Sequence, residues 1–219
     1  MRVLLEPRRL LQGVCELLRR PGTFGITWKA LKKYRAIQDC VELSRLLRLL
    51  RPRKMATVLE IGTEWGGTLY AFSQVAADDA TIVSIDYPPL PNGRDEDLVA
   101  RLHSCTRARQ RLVCLRMDSH REETLDKVRK GLDGRGIDFC FIDGDHTYDG
   151  ARADFEMYGG LVEEGGLIAF HDIVENSQQA SWGVHKLWRE IRETHECYEF
   201  IAEHPRTPGM GIGVLVQHK

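Results

Sequence analysis

The segment from Asp138 to Asp172 constrains the fold more than any other part of the chain, because it has the pattern of a strand, a helix and a second strand. Two apolar runs, DFCFI at 138–142 and GLIAF at 166–170, are too short for helices and are typical of buried strands. A strand, a helix and a second strand in one unit make two parallel neighbours in one sheet. Between the runs, apolar residues recur at helical steps of three and four: Tyr148, Ala151, Phe155, Tyr158 and Val162.

Each of these two predicted strands ends in side chains that can bind a metal or carry a proton. Asp143, Asp145 and His146 follow the first strand, and His171 and Asp172 follow the second. The C-terminal ends of parallel strands lie side by side, at the edge where open α/β sheets bind their ligands. The sequence therefore predicts one crevice that holds three carboxylates and two imidazoles, which we take as the site of chemistry.

The chain continues this alternation of strands and helices from residue 57 onward. Further strands are predicted at 57–62, 81–85 and 112–116, each followed by a helix, and the terminal runs CYEFIA and MGIGVLVQ predict a β-hairpin. Strands that alternate with helices indicate a parallel sheet covered on both faces. We therefore predict an α/β fold with a doubly wound, seven-stranded, mostly parallel sheet and an antiparallel C-terminal hairpin.

The first 54 residues differ from the rest of the chain in charge. They contain 14 Lys and Arg against 4 Asp and Glu, whereas the remainder contains 17 against 28. Their apolar residues have helical spacing, so we predict a basic helical N-terminal extension at 1–54 and a second domain at 55–219. A basic surface suits nucleic acid, an anionic membrane or an acidic partner, or it is a solvated face packed on the acidic domain.

The composition is typical of a soluble globular protein. No apolar run approaches the ~20 residues of a membrane span, and Glu6, Arg8 and Arg9 interrupt any apolar core of a secretory signal. Six scattered cysteines without a CxxC pair indicate reduced thiols and no zinc site. We predict a cytoplasmic protein without a transmembrane segment. Weak association with a membrane surface and a homodimer built on the amphipathic N-terminal helix both stay open.

A loop with three glycines follows the first predicted strand, in the sequence EIGTEWGGT at 60–68. Its spacing fits neither the dinucleotide fingerprint nor the P-loop, yet small residues here let the backbone turn tightly beside a ligand. The second strand ends in Asp86, whose carboxylate can accept hydrogen bonds from both ribose hydroxyls. Asp118 and Ser119 end the third strand, in position to edge an adenine. Adenosine without a pyrophosphate cradle points to S-adenosylmethionine.

Five segments together resemble the class I S-adenosylmethionine-dependent methyltransferases, and more narrowly the group of macrocin-type sugar O-methyltransferases and cephalosporin-hydroxylase-like proteins. They are VLEIGTEWGGT, SIDYP, MDSH, FIDGDHTYDGARADF and GGLIAFHDI, and the resemblance covers roughly residues 57 to 217. It implies a Rossmann-like methyltransferase fold in which Glu60, Gly62 and Gly66 shape the pocket for the methionine half of the cofactor. The expected cofactor-binding residues are Glu60, Gly62, Thr63, Gly66, Thr68, Asp86, Asp118, Ser119 and Asp143.

The resemblance also implies a divalent metal, Mg²⁺ or Mn²⁺, held by Asp143 and by the adjacent pair His171 and Asp172, with His146 as the base. His171 departs from the carboxylate that metal-dependent relatives often have, and imidazole binds Mg²⁺ less readily than oxygen does. Direct ligation by His171, a supporting role for it, and transfer without a metal therefore stay open. Asp145 is either a further ligand or the cap of the following helix.

These residue types suit methyl transfer to oxygen. A sugar or alcohol hydroxyl is barely ionised at neutral pH, so a metal that lowers its pKa and an imidazole that takes its proton both help. We predict an S-adenosylmethionine-dependent O-methyltransferase for a small polyol-like acceptor, such as a sugar of a glycosylated natural product or glycolipid.

Two other classes of function stay open at this stage. One is a non-catalytic cofactor-binding partner, or an accessory protein of another enzyme in a hydroxylation or methoxylation system. The other, a nucleic-acid methyltransferase, is disfavoured because no NPPY-like tetrad follows the fourth strand and no aromatic–basic interleaving marks an RNA surface.

For the remaining tryptophans and histidines named here, the sequence predicts only a location in the cavity, in the core or at the surface. Trp65 and Trp182 are expected to line the pocket, and Trp188 to lie in the core because it falls on an apolar helix face. The histidines expected to be at or near the surface without chemistry are His103, His120, His185, His195, His204 and His218.

Overall fold

The structure, a computed structural model, describes residues 22–87, 95–175, 181–203 and 210–218. The seven strands are β1 (Thr57–Ile61), β2 (Thr81–Asp86), β3 (Arg111–Arg116), β4 (Ile137–Ile142), β5 (Val162–His171), β6 (Cys197–Phe200) and β7 (Ile212–Val216). The α-helices are α1 (Thr23–Tyr34), α2 (Cys40–Leu50), α3 (Gly67–Val75), α4 (Asp95–His103), α5 (Glu122–Leu132), α6 (Tyr148–Tyr158) and α7 (Val184–Ile191). The helix predicted near Leu4–Leu18 lies outside the described residues.

The strands form one sheet in the order β3-β2-β1-β4-β5-β7-β6. The first five are parallel, β7 runs antiparallel beside β5, and β6 pairs with β7 at the edge. The predicted seven-stranded fold with an antiparallel C-terminal hairpin is confirmed. The chain moves outward from β1 to β3 and then returns to β4 on the other side of β1. The crevice that such a reversal opens at the carboxyl ends of β1 and β4 is where doubly wound sheets bind ligands.

The apolar residues of each central strand alternate between two separate cores. Val58, Phe139 and Phe141 face one core together with α1, α2 and α3, whereas Leu59 and Cys140 face the other together with α5, α6 and α7. This two-sided burial explains why the strands read as continuous apolar runs rather than as alternating ones. Helices α1 and α2 share a core with the sheet, and the predicted division of the chain at residue 54 stays a prediction.

Two local elements differ from their sequence patterns. The helical pattern suggested that α6 extends to Val162, but the helix ends at Tyr158 and a 3₁₀ turn follows at Gly159–Leu161. Two consecutive glycines are poor helix formers, and Val162 instead begins β5, where it pairs with Ile137. Strand β3 is only half-buried, because it forms one edge of the sheet.

The described residues contain no helix that is both long enough and apolar enough to cross a membrane. Their five cysteines are all free thiols, and burial raises the pKa of the Cys114 thiol to about 11. These thiols act as small apolar groups in the sheet and its helices.

A buried glutamate of α2 holds both ends of the connection between β6 and β7. Glu42 is fully buried, and its Oε1 accepts a hydrogen bond from the Ala202 N–H at 2.8 Å. Its Oε2 accepts one from the Gly211 N–H at 3.0 Å. One side chain thus satisfies two backbone donors that are more than 150 residues away in sequence, and it ties α2 to the start of β7 next to the site.

We predict that Glu42→Ala lowers the free energy of unfolding by about 2–4 kcal/mol, because it leaves two buried N–H groups without acceptors. Urea denaturation measures the loss, and Glu193→Ala, at an exposed glutamate, is the matched control. Equal unfolding midpoints for both variants and the original chain would contradict this role of Glu42.

Candidate active site

A cavity of about 700 Å³ opens at the carboxyl ends of β1 to β5. It is lined by the loops after these five strands and by the connection between α1 and α2. The lining residues of the loops after β1, β2 and β3 include Gly62, Thr63, Glu64, Trp65, Thr68, Asp86, Tyr87, Asp118, Ser119 and His120. Those from the other segments include Arg35, Gln38, Asp143, Asp145, His146, His171, Asp172, Trp182 and Met210.

The loop after β1 lies directly against the loop after β4. Gly62 has a φ of +87°, and a Cβ atom there would lie 2.0 Å from the backbone oxygen of Asp143. Gly66 has a φ of +84° at the start of α3. Only glycine combines this backbone conformation with so close an approach. The two loops are therefore joined at the floor of the cavity.

Glu60 lies in β1 beneath this loop and is fully buried. Burial raises the pKa of its carboxyl group to about 8, although the hydroxyls of Thr68 and Thr63 lower it in part. Neither carboxylate oxygen has a hydrogen-bond partner of normal geometry among the described residues. A buried carboxylate in such surroundings is costly, and a cation would stabilise it.

Asp86 ends β2 and fixes the rim of the cavity. One of its oxygens lies 2.9 Å from Nη1 of Arg116 and accepts the N–H of Glu64 at 2.8 Å, and the other accepts the N–H of Tyr87 at 2.8 Å. A carboxylate has about four lone-pair positions, so this arrangement orients Asp86 and leaves it able to accept a further hydrogen bond.

The loop after β3 brings Asp118 and Ser119 to the same cavity. Asp118 accepts the N–H of His120 at 2.9 Å and lies 3.2 Å from Nε of Arg121. The carbonyl oxygen of Ser119 accepts a hydrogen bond from the hydroxyl of Tyr158 at 2.6 Å. Both predicted residues are therefore held in place by contacts within their own loop and from α6.

The polar cluster predicted from the strand–helix–strand unit forms one hydrogen-bonded group. Nδ1 of His146 lies 2.8 Å from Oδ2 of Asp172, and Nδ1 of His171 lies 3.1 Å from Oδ1 of Asp143. Nδ1 of His171 also lies 3.3 Å from Oδ2 of Asp172. His171 thus bridges the two carboxylates, while the ring of His146 stacks on Trp182 with 4.3 Å between centroids.

Asp172 has an unusual backbone conformation for a residue other than glycine. Its φ is +61°, directly after the end of β5, and its side chain is buried. Aspartate tolerates this left-handed region better than most residues. Such outliers persist where the surroundings impose them, as they do at many functional sites.

Proton affinities within the cluster are set by its charges. Burial alone would lower the pKa of His171, but the charges and hydrogen bonds of Asp143 and Asp172 raise it to about 10. Burial alone would raise the pKa of Asp172, but His146 and His171 lower it to about 2. The hydrogen bond to Asp172 raises the pKa of His146, against the effect of burial. The carboxylate of Asp172 is therefore ionised, and both imidazoles are more basic than usual.

Three members of the cluster can together hold a metal ion. Asp143, His146 and Asp172 offer ligand atoms that all lie within 4.8 Å of one another, and Oδ1 of Asp172 is buried without a hydrogen-bond partner among the described residues. Two carboxylates and one imidazole are a donor set that suits divalent ions such as Mn²⁺. Asp145 does not cap α6: its Oδ1 accepts the N–H of Thr147 at 2.8 Å in the turn before the helix, and the N-cap is Thr147, whose hydroxyl accepts the N–H of Gly150 at 3.0 Å.

The structure brings the predicted site residues to one cavity or its immediate wall, and it adds a residue that sequence reasoning missed. Gln38, in the connection between α1 and α2, donates from Nε2 to Oδ2 of Asp143 at 2.7 Å. Nothing in its local sequence marks it, because its partner lies 105 positions away. His120, set aside as a residue without chemistry, also lines the cavity. Trp65 and Trp182 line the cavity as predicted, and Trp188 is buried.

Comparison with known proteins places the chain in a family. A family model for a methyltransferase domain matches residues 59–173, which is more than half of the chain. An uncharacterized protein of Acanthamoeba polyphaga mimivirus is 29% identical over 167 residues, covering 74% of either chain. An uncharacterized protein of Sinorhizobium fredii is 24% identical over 78% of this chain, which spans only 18% of that relative's length.

Solved structures share the fold at low sequence identity. The O-methyltransferase TomG of Streptomyces achromogenes, in complex with S-adenosylmethionine, is 15% identical with a TM-score of 0.60, covering 97% of this chain and 99% of that one. The MycE methyltransferase of the mycinamycin pathway, in complex with Mg, S-adenosylhomocysteine (SAH) and mycinamycin VI, is 18% identical with a TM-score of 0.59. That alignment covers 96% of this chain and 58% of MycE. The chain belongs to the methyltransferase domain family.

Proposed function

We propose that this chain is a class I S-adenosylmethionine-dependent methyltransferase, which transfers the methyl group to a hydroxyl of a small polyol-like acceptor, such as a sugar of a glycosylated natural product or glycolipid. The observation that carries the proposal is the pair of His146 and Asp172 beside Asp143, at the same sheet edge as the glycine loop. An imidazole oriented by a carboxylate is the arrangement that proton removal from a hydroxyl requires.

The loops after β1, β2 and β3 would hold the cofactor. Gly62 and Gly66 keep the backbone close to the methionine half, with the hydroxyls of Thr63 and Thr68 beside them. S-Adenosylmethionine supplies a methyl group on a sulfonium and carries an ammonium group, so it is cationic at this end. The buried carboxyl group of Glu60 lies behind this loop, and a cation there would favour its ionised form.

The adenosine half would follow the next two strands of the sheet. The carboxylate of Asp86 can accept hydrogen bonds from the ribose hydroxyls, and its contacts with Arg116 and the Glu64 N–H fix its direction. Asp118 and Ser119, in the loop after β3, would contact the edge of the adenine. These assignments rest on the order of the strands, since β3 lies directly outside β2.

His146 acts as the general base toward the acceptor hydroxyl. The carboxylate of Asp172 accepts a hydrogen bond from Nδ1 of His146, which places the ring proton on Nδ1 and leaves the Nε2 lone pair to take the hydroxyl proton. Stacking on Trp182 restrains the ring, so little reorientation is needed before transfer.

Asp143 and Asp172 would hold a divalent metal, Mg²⁺ or Mn²⁺. Such an ion lowers the pKa of a bound hydroxyl and orients it. The buried and unpartnered Oδ1 of Asp172 is suited to this role. The bridging contacts of His171 with both carboxylates favour a supporting role for this imidazole, which fixes the carboxylates from behind. Gln38 does the same for Asp143 from the other side.

The walls of the cavity suit a sugar. Trp65 and Trp182 line the cavity, and aromatic rings suit the apolar face of a sugar ring. Within the described residues, Arg35 stacks on the exposed ring of Trp65 at 5.0 Å, so the rim of the cavity is aromatic and cationic, whereas its floor is acidic.

Titration calorimetry with SAH, followed by turnover with hydroxyl acceptors, tests the proposal. We expect SAH to bind, and we expect turnover to be lost in EDTA and restored by Mg²⁺ or Mn²⁺. Asp172→Asn should raise the metal concentration needed for turnover and lower the rate. Asp149→Asn, at an exposed carboxylate of α6, should change neither. Absence of SAH binding would refute the cofactor assignment. Full turnover in EDTA would refute only the metal.

His146→Ala should lower kcat by about 10²–10⁴-fold, the range for loss of a general base. The affinity for SAH should stay unchanged, because His146 lies toward the acceptor side of the cavity. His103→Ala, at an exposed histidine of α4, serves as the control. Near-normal turnover of His146→Ala at saturating acceptor would reject the base assignment.

Replacement of Glu60 by Gln should stabilise the protein without its cofactor in a pH-dependent manner. The pKa of Glu60 is raised from 4.5 to about 8 in the folded chain, so the stability of the folded state falls as pH rises through this window. The penalty amounts to about 3 kcal/mol between pH 5 and pH 8. Thermal unfolding at both pH values should show a gain for Glu60→Gln at pH 8 and almost none at pH 5.

The same substitution should weaken SAH binding, since the charge that attracts the ammonium group is gone. Glu156→Gln, at an exposed position of α6, is the control for both measurements. An equal change in stability at pH 5 and pH 8 would show that Glu60 is not the titrating group.

A further inference from the structure

Helix α6 holds two consecutive residues of the loop after β3. The hydroxyl of Tyr158 donates to the carbonyl oxygen of Ser119 at 2.6 Å. Nε2 of His120 lies 3.2 Å from the carbonyl oxygen of Gly150 and 3.3 Å from Oδ1 of Asp154. His120 and Asp154 belong to the segments MDSH and DGDHTYDGARADF, and the proposed chemistry uses neither of them.

These contacts fix the tautomer of His120. A backbone carbonyl can only accept a hydrogen bond, so Nε2 carries the proton and Nδ1 of the neutral ring keeps its lone pair. No group among the described residues donates to Nδ1. The side chain is about one-third exposed (32%) and lines the cavity. The ring therefore offers the cavity one hydrogen-bond acceptor whose natural partner is an N–H or O–H donor.

Asp154 accounts for the position of the ring. Its side chain is fully buried in α6, with Oδ1 at 3.3 Å from Nε2 of His120. Burial raises the pKa of this carboxyl group to about 6, which reflects the penalty of keeping it in the interior. Apolar residues would pack here at lower cost, so the carboxylate is best explained by the loop residues that it holds.

We propose that Nδ1 of His120 accepts a hydrogen bond from the exocyclic amine of the cofactor's adenine, and that Asp154 is the positioning residue that sets this ring. The inference rests on the proposed function, in which the cavity binds S-adenosylmethionine with its ribose at Asp86. β3 lies directly outside β2, so the base that extends beyond the ribose reaches the loop of His120. The amine is the donor that distinguishes adenine from a 6-oxo purine.

Calorimetry with SAH and with S-inosylhomocysteine, in which a carbonyl replaces the amine, tests the proposal. The original chain should prefer SAH. His120→Gln removes the acceptor at the Nδ1 position, so it should weaken SAH binding by about 3–10-fold and abolish the preference. His120→Asn keeps an oxygen where Nδ1 was, and it should retain most of the preference.

Asp154→Asn should shift the two affinities in the same direction as His120→Gln. Because both residues act through one ring, the double variant should bind SAH no more weakly than His120→Gln alone. Glu156→Gln, two positions along α6 at its exposed side, should leave both affinities unchanged.

The outcomes separate this inference from the proposed function. If the original chain binds SAH and His120→Gln keeps the full preference for SAH over S-inosylhomocysteine, the inference is wrong and the proposed function is unaffected. An equal loss for both ligands would show that His120 and Asp154 only stabilise the loop, which also overturns the inference. If the original chain binds neither ligand, the function and the inference fall together.

Discussion

The close contact between the loops after β1 and β4 is the constraint on which the rest of the site depends. Gly62 extends the ladder toward β2 through the carbonyl of Ile85, and Asp143 extends it toward β1 through the carbonyl of Ile61. A side chain at position 62 would overlap the backbone of Asp143. The cofactor loop and the acidic cluster are therefore held at a fixed separation by backbone alone, so the side chains of the cluster need to orient only one another.

The site concentrates buried carboxyl groups whose ionised forms are costly to the fold. Glu60, Asp154 and Asp172 are all buried, and only part of their hydrogen-bonding capacity is met within the described residues. Such groups destabilise a core unless ligands or partners compensate for their burial. They lie under the loop after β1, behind the loop after β3 and at the end of β5, which are the three places where the proposed ligands would approach. The buried carboxyl groups and the proposed binding positions thus coincide.

The fold and most of the polar cluster could be predicted from the sequence because both depend on local patterns. Strand ends are readable from apolar runs, and parallel topology then brings Asp143 and Asp172 together. The contact between Gln38 and Asp143 was not readable, since it depends on how α1 and α2 pack against the sheet. The short distance between Asp154 and His120 likewise depends on how α6 packs against the loop after β3. The end of α6 was predicted wrongly because Val162 fits the helical spacing of α6, although it is the first residue of β5.

The antiparallel strand β7 has a consequence for the order in which the molecule forms during synthesis. It covers the open side of β5, pairing Ile212 with His171, yet it lies about 40 residues later in the chain. Until β7 emerges from the ribosome, β5 presents an unpaired edge, which invites association with other chains. The edge of β5 that ends in His171 is thus protected only once this late segment has been made.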